Sequence, residues 1–185
     1  MGQYYKPTNI DKREYIEPLD FDNGMKLMEH SYIGNSVTEA IESLIIPGGA
    51  WYKASLVWAG DYADGEPKTI TKKNPNGHNL YSSINSESGK GVKLSPPFFK
   101  VNSKFDFLTN HDIKQVVALS LIEEDSDGWK IHPLPLLIAE GNGRGGGDFH
   151  GKDSRIGSWA RNHISLEDHI EEGYKLIDGQ FKEER

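Results

Sequence analysis

Five of the seven residues from 141 to 147 are glycine, and they follow the apolar run 134–139. Ordering a glycine costs roughly 0.5–1 kcal/mol more than ordering alanine in regular structure. Five of them cost about 2.5–5 kcal/mol, a large part of a total stability of about 5–15 kcal/mol. Such a run stays ordered where the backbone turns through positive φ or approaches a neighbour closely, and that neighbour is either a ligand or another part of the chain. Successive amides in turn conformations form a nest that binds phosphate or carboxylate oxygens. Arg144, inside the run, adds a planar cation suited to bidentate anion contact. Neither familiar phosphate loop is made: no Gly-Lys-Ser/Thr follows, and the dinucleotide pattern is poor because no clear helix starts after Gly141-Asn142-Gly143. Two readings stay open, a structural turn and a ligand cradle built from Gly145, Gly146 and Gly147.

A chain of 185 residues is long enough for one domain with its own core. The net charge of −7 argues against a DNA partner. Cysteine is absent, which removes disulfides, thiolate zinc sites and a cysteine nucleophile. No apolar stretch approaches the roughly 20 residues that span a bilayer. The opening Met1-Gly2-Gln3-Tyr4-Tyr5-Lys6 has lysine where a myristoylation signal wants Ser or Thr. The expectation is a cytoplasmic protein with no membrane partner and no cofactor; oligomeric state is not legible.

Along the chain, runs 4–8 and 13–17 bracket Asn9-Ile10-Asp11-Lys12 as an opening hairpin. Met25, Leu27, Met28 and His30 suit a brief helix. Ser36-Val37-Thr38-Glu39 has the spacing of a capping box, with Val37, Ala40, Ile41 and Leu44 on one helical face and Pro47-Gly48-Gly49 as the stop. The run 54–59 is too short for a helix and reads as a buried strand. Runs 104–108 and 113–119 flank Thr109-Asn110-His111-Asp112 as a second hairpin, and 123–128 is an acidic turn before Trp129. The run 134–139 reads as a strand leading into the glycines. Ser165-Leu166-Glu167-Asp168 suits the cap of a last helix, and 181–185 reads as a frayed charged tail. The fold class expected is α+β, a mainly antiparallel sheet with two or three short helices and one long basic loop.

That loop is segment 65–104. It holds seven lysines against two glutamates, +5 net, which leaves −12 for the rest of the chain. A basic loop on an acidic body attracts an anionic ligand or an acidic partner, and long loops in compact domains are often lids or binding loops. The opposing reading is a solvated surface loop. Lys72 and Lys73 are the candidate contacts.

Catalytic residue types gather at the exit of the glycine run, where Asp148, His150 and Asp153 lie close together in sequence. Carboxylate and imidazole at such spacing serve as metal ligands or as acid and base, although the spacing matches no zinc signature. If the protein is an enzyme, Asp148, His150 and Asp61 are the candidates. Trp58-Ala59-Gly60-Asp61 and Trp159-Ala160-Arg161-Asn162 echo one another, and a true repeat would bring Asp61, Asp64 and Asn162 towards the glycine run. No Gly-x-Ser-x-Gly elbow is present.

The opening Met1-Gly2-Gln3-Tyr4-Tyr5-Lys6-Pro7, the segment Lys26-Leu27-Met28-Glu29-His30, Trp58-Ala59-Gly60-Asp61-Tyr62, and Gly145-Gly146-Gly147-Asp148 with Gly157-Ser158-Trp159-Ala160 resemble a family of bacterial and phage proteins of no established activity. The resemblance carries over no catalytic residue; it implies a bacterial or phage origin and a role in host–phage conflict. The leading expectation is non-catalytic binding of a small anionic ligand, a nucleotide above all. Gly145, Gly146, Gly147, Arg144 and Asp148 form the cradle, Trp58 or Trp159 stacks a base, and Lys72 and Lys73 act from the loop. The alternatives are an inhibitor module whose acidic face takes a basic protein partner, and a metal-dependent hydrolase.

Overall fold

The structure is a computed structural model that describes residues 3–87, 90–141 and 147–183. Its organising element is β3 (Ala54–Gly60), whose seven residues are all buried. Successive side chains of a strand point to opposite faces. Leu56 and Trp58 accordingly enter the main core, while Val57 and Ala59 enter a second cluster with Tyr15, Leu80 and Ile84. A strand covered on both faces reads as a continuous apolar run, which is why segment 54–59 is recognisable.

One edge of β3 pairs antiparallel with β1 (Tyr5–Asn9), from Tyr5 opposite Gly60 to Asn9 opposite Leu56. The other edge is shared. Ala54 and Ser55 face the antiparallel β8 (His163–Glu167), and Trp58 and Ala59 face the parallel β7 (Ala139–Glu140). Outwards from β1 lie β2 (Glu14–Ile16) and β4 (Val92–Leu94); outwards from β8 lie β5 (Phe107–Asn110), β6 (Gln115–Ala118) and β9 (Lys175–Leu176). The result is an α+β fold with a nine-stranded, mostly antiparallel sheet among the described residues. Both expected hairpins form, β1–β2 and β5–β6.

Helix α1 (Ser36–Ile45) buries Val37, Ala40, Ile41, Leu44 and Ile45 in the main core. Its cap is Asn35, not Ser36: the Asn35 carboxamide accepts the Val37 amide at 2.8 Å. Glu39 turns outward to pair with Lys100 at 3.0 Å, so the expected capping box does not close. Helix α2 (Leu80–Ser83) covers the second cluster. Met25, Leu27, Met28 and His30 supply a 3-10 turn over Leu27–His30.

Three expectations are corrected. The run 134–139 is mainly helix, α3 (Pro133–Leu137), and only Ala139–Glu140 is strand. Pro133 and Pro135 lack amide hydrogens, which a first helical turn does not need and a sheet ladder does. Segment 165–168 belongs to strand β8, in which Ser165 donates to Glu167 within the sheet instead of capping a helix. The tail is not frayed up to residue 183: Phe181 is among the largest fully buried side chains, and its ring meets Phe149 edge-on. Arg155 ties this tail down by donating to the Asp178 and Gln180 carbonyls while its guanidinium lies 4.6 Å from the Phe181 ring.

Segment 65–104 is built into the sheet, not hung from it. Arg161 chelates Glu66 near its start, and β4 pairs with β2 near its end. Between these points, Lys6 Nζ donates to the Ile84 carbonyl at 2.9 Å, and Arg13 donates to the Ser83 and Lys90 carbonyls at 2.7 and 2.6 Å. Cations near the last carbonyls of α2 satisfy acceptors that a helix end leaves open.

Candidate functional site

The two described ends of the glycine run close on one side chain. A β-carbon on Gly141 would lie 2.3 Å from the Tyr5 hydroxyl, and one on Gly147 would lie 2.7 Å from Tyr5 Cε2. Gly147 also has φ +60°. Tyr5 is fully buried and donates to Gln3 Oε1 at 2.8 Å. Burial first, then the charges of Asp148 and Asp61, hold its hydroxyl well above the ordinary tyrosine range. Gly141 and Gly147 therefore lack side chains because Tyr5 fills that space. Asn142, Gly143, Arg144, Gly145 and Gly146 lie outside the described residues, and with them most of the expected cradle.

The other expected site residues divide. Trp58 and Trp159 are fully buried: Trp58 donates its indole N–H to His30 Nδ1 at 3.2 Å, and Trp159 donates to Gln115 Oε1 at 3.0 Å. An indole enclosed on both faces has no surface for a base, so these residues are core and not stacking platforms. The echo between their segments has a structural origin. The backbone amides of Trp58 and Trp159 donate to the consecutive carbonyls of Ile138 and Leu137, so both chains line the exit of α3. Asp61 and Asn162 do not converge, because Asp61 follows the end of β3 while the Asn162 carbonyl accepts from Leu56 near its start. Asp64, Lys72, Lys73 and His150 are exposed.

Asp148 and Asp61 are brought to the neighbourhood of Tyr5, but each is engaged. Asp148 accepts the Met28 amide at 2.9 Å, and Asp61 accepts the Tyr4 amide at 3.0 Å. Asp153 holds Arg155 through two oxygens and lies below the ordinary carboxylate range because of that hydrogen bonding. Among the described residues no three His, Asp or Glu side chains are grouped as metal ligands.

A cleft of about 550 Å³ opens between the β1–β2 turn and segment 65–104. Arg13, Lys68, Lys90 and His78 bring basic groups to it; Glu66 is its acid, and Ile10 and Leu80 are apolar wall. Lys68 and Lys90 form no ion pair with a described carboxylate, whereas Lys93 and Lys100 of the same segment pair with Asp20 and Glu39. Glu66 is held by Arg161, which bridges it to Glu140 at 2.5 and 2.6 Å. The hydroxyl of Thr69 is committed to the Glu66 carbonyl, and that of Ser82 to Asn79. Pattern alone points to Lys72 and Lys73 in this segment; the cleft instead takes Lys68 and Lys90, and adds Arg13 from a turn that the charge count does not include. Arg13 sits at positive φ on that hairpin tip.

Lys6 and the His111–Ser165 pair are two further polar features of the fold. Lys6 is almost wholly enclosed, with Nζ 4.1 Å from the Tyr15 ring and 4.6 Å from the Tyr81 ring. Burial pushes its amine down to about 8, against the opposing pull of Glu17. At the other end of the sheet His111 Nε2 lies 2.7 Å from Ser165 Oγ and Nδ1 lies 3.0 Å from the Tyr174 hydroxyl. This pair resembles a nucleophile and its base, but the polarity is reversed. Ser165 gives its proton to Glu167 at 2.6 Å, so the imidazole Nε2–H must donate to Ser165. With Ser165 fully buried, the network is a brace between β5, β8 and the chain that leads to β9.

No protein family, curated protein or solved structure matches the chain.

Proposed function

We propose that this chain is a non-catalytic binding module for a small anionic ligand, with a nucleotide as the favoured class. The supporting observation is the cleft in which Arg13, Lys68 and Lys90 converge on about 550 Å³, within the range of small-molecule sites, about 300–1,000 Å³. Arg13 and Lys6 tie the C-terminal end of α2 in place, so the wall is formed before the ligand arrives and little ordering cost falls on binding. Sequestration of a nucleotide signal in host–phage conflict is the biological role that accompanies this reading. Isothermal titration of the purified protein with a panel of nucleotides tests it. Replacing Lys68 and Lys90 together by alanine should weaken binding by about tenfold or more, since each removes a charge-assisted contact, with the melting temperature unchanged. Equal affinity of the double variant and the parent protein would overturn the assignment.

A basic protein partner is the second reading. A cavity of about 410 Å³ has Glu123, Glu124, Asp125 and Glu183 in its lining against one cation, Lys182, and the exposed Trp129 stands on the same turn, its amide bonded to Asp125. An aromatic group beside a field of carboxylates suits a basic, partly apolar segment. Binding of that kind weakens steeply with salt and is unaffected by changes at Lys68 and Lys90.

A further inference from the structure

The charges around the basic cleft restrict what it accepts. Resting on the anion-binding reading, we infer that its occupant is a phosphate monoester of a sugar with a vicinal diol, the phosphate held by Arg13, Lys68 and Lys90 and the diol by Glu66. Three cations and one carboxylate line this space, together with His78, which the formal count takes as neutral. Their sum of +2 matches a single monoester phosphate, which carries about −1.5 to −2 near neutral pH. A triphosphate brings roughly twice that charge and places the surplus against Glu66.

Glu66 is the discriminating feature. A carboxylate in a cleft that favours anions is a liability unless the ligand also brings hydrogen-bond donors. Arg161, which is not among the residues lining the cleft, holds both Glu66 oxygens, with Nη2 at 2.5 Å from Oε1 and Nη1 at 3.3 Å from Oε2. That contact pairs the carboxylate with a guanidinium and orients it. A carboxylate accepts about four hydrogen bonds and Arg161 supplies two, so acceptor capacity remains. Two adjacent hydroxyls match a carboxylate's pair of oxygens. The hydroxyls of Thr69 and Ser82 already serve neighbouring backbone and Asn79, and Glu66 is the carboxylate among the residues that line the cleft. Ile10 and Leu80 provide apolar surface for the body of the sugar or its substituent.

Calorimetric titration with four probes tests this: adenosine 5′-monophosphate, its 2′-deoxy counterpart, adenosine triphosphate and inorganic phosphate. The ribose monophosphate should bind about tenfold or more tightly than each of the other three, as the loss of a hydrogen bond to a charged acceptor entails. Glu66→Gln should erase the ribose-to-deoxyribose ratio while keeping affinity for the phosphate. If that variant does not fold, the ratio measured on the unaltered protein decides alone. Equal binding of the ribose and deoxyribose compounds, or equal or tighter binding of the triphosphate or of inorganic phosphate, overturns the inference and leaves the anion-binding reading standing. Binding of none of the four overturns both.

Discussion

Acidification from pH 7 to pH 4 should remove about 3 kcal/mol of folding stability through His30 alone. The ring is fully buried, stacked 5.6 Å from Trp58, and its Nδ1 accepts the indole N–H at 3.2 Å. Nε2 therefore carries the proton and is a buried donor without a hydrogen bond of normal geometry. A second proton would place a full charge in this apolar site; burial holds the imidazole down to about 4 from its usual 6.5, with the Met25 carbonyl opposing weakly. The folded state thus resists a proton that the unfolded chain takes up near 6.5. Stability is fully present above 6.5 and is lost as the pH falls from there towards 4. At about 1.4 kcal/mol for each pH unit the gap comes to roughly 3 kcal/mol. Denaturant unfolding followed by tryptophan fluorescence at several pH values measures the slope. His30→Asn places an amide oxygen where Nδ1 stands and so keeps a partner for Trp58. This variant should be less stable at pH 7, because a ring is lost from the core, yet its pH dependence should be much flatter. His111, also held down by burial, supplies a smaller residual slope of the same sign. A variant as steep as the parent protein, or a His30 ring that titrates near 6.5 by NMR in the folded state, refutes the reasoning.

Lys6 should extend the same rise of stability with pH into the alkaline range. Its amine is pushed down to about 8 in the fold, so stability rises between about 8 and 10 as the unfolded chain alone retains the proton, and Lys6→Met should abolish that rise in the same unfolding assay. Gly147→Ala should cost about 1–3 kcal/mol, from positive φ together with a β-carbon 2.7 Å from the Tyr5 ring; an unchanged denaturation midpoint would mean that the turn is free to shift. Phe181→Ala should cost about 3–5 kcal/mol, the usual range for a buried aromatic ring. A loss under 1 kcal/mol would restore the tail to the frayed state its charges suggest.

The parts of the fold legible in the sequence are those where one local signal dominates. Segment 54–59 is flanked by turn residues and apolar except for Ser55, and a buried strand fits it. The β5–β6 hairpin announces itself because Asn110 and its neighbours are turn formers between two apolar runs. Errors arose where two signals overlap. Pro133 and Pro135 sit inside a run whose apolar character suits strand and helix alike, and the missing amides decide for the helix. Ser165 and Asp168 have cap spacing, but the alternation His163-Ile164-Ser165-Leu166-Glu167 has the period of a strand, and burial of Ile164 and Leu166 carries more free energy than a cap. Phe181 is hidden among charges in the sequence, and only the fold reveals that Phe149 and Arg155 wait for it. The cleft is the least legible of all, since Arg13 and Lys90 lie 77 positions apart and meet only once β4 has paired with β2.

The positive charge of segment 65–104 therefore serves two ends that the sequence presents as one. Lys93 and Lys100 are matched by carboxylates of the body, and they fasten the segment to the turn near Asp20 and to α1. The body adds cations of its own: Lys6 and Arg13 reach into the segment and hold its carbonyls, and Arg161 holds Glu66. Attachment by charge thus runs in both directions across this boundary, and the lysines it leaves unpaired at the cleft, Lys68 and Lys90, gain their importance from being surplus to it. A loop whose lysines all paired with the acidic body would be merely well anchored. A loop with none paired would be a solvated tether, unable to hold two ammonium groups and a guanidinium around one volume. The division among the described residues, with Lys93 and Lys100 fastened to the body and Lys68 and Lys90 unpaired beside the cleft, is the charge pattern from which the proposed anion binding starts.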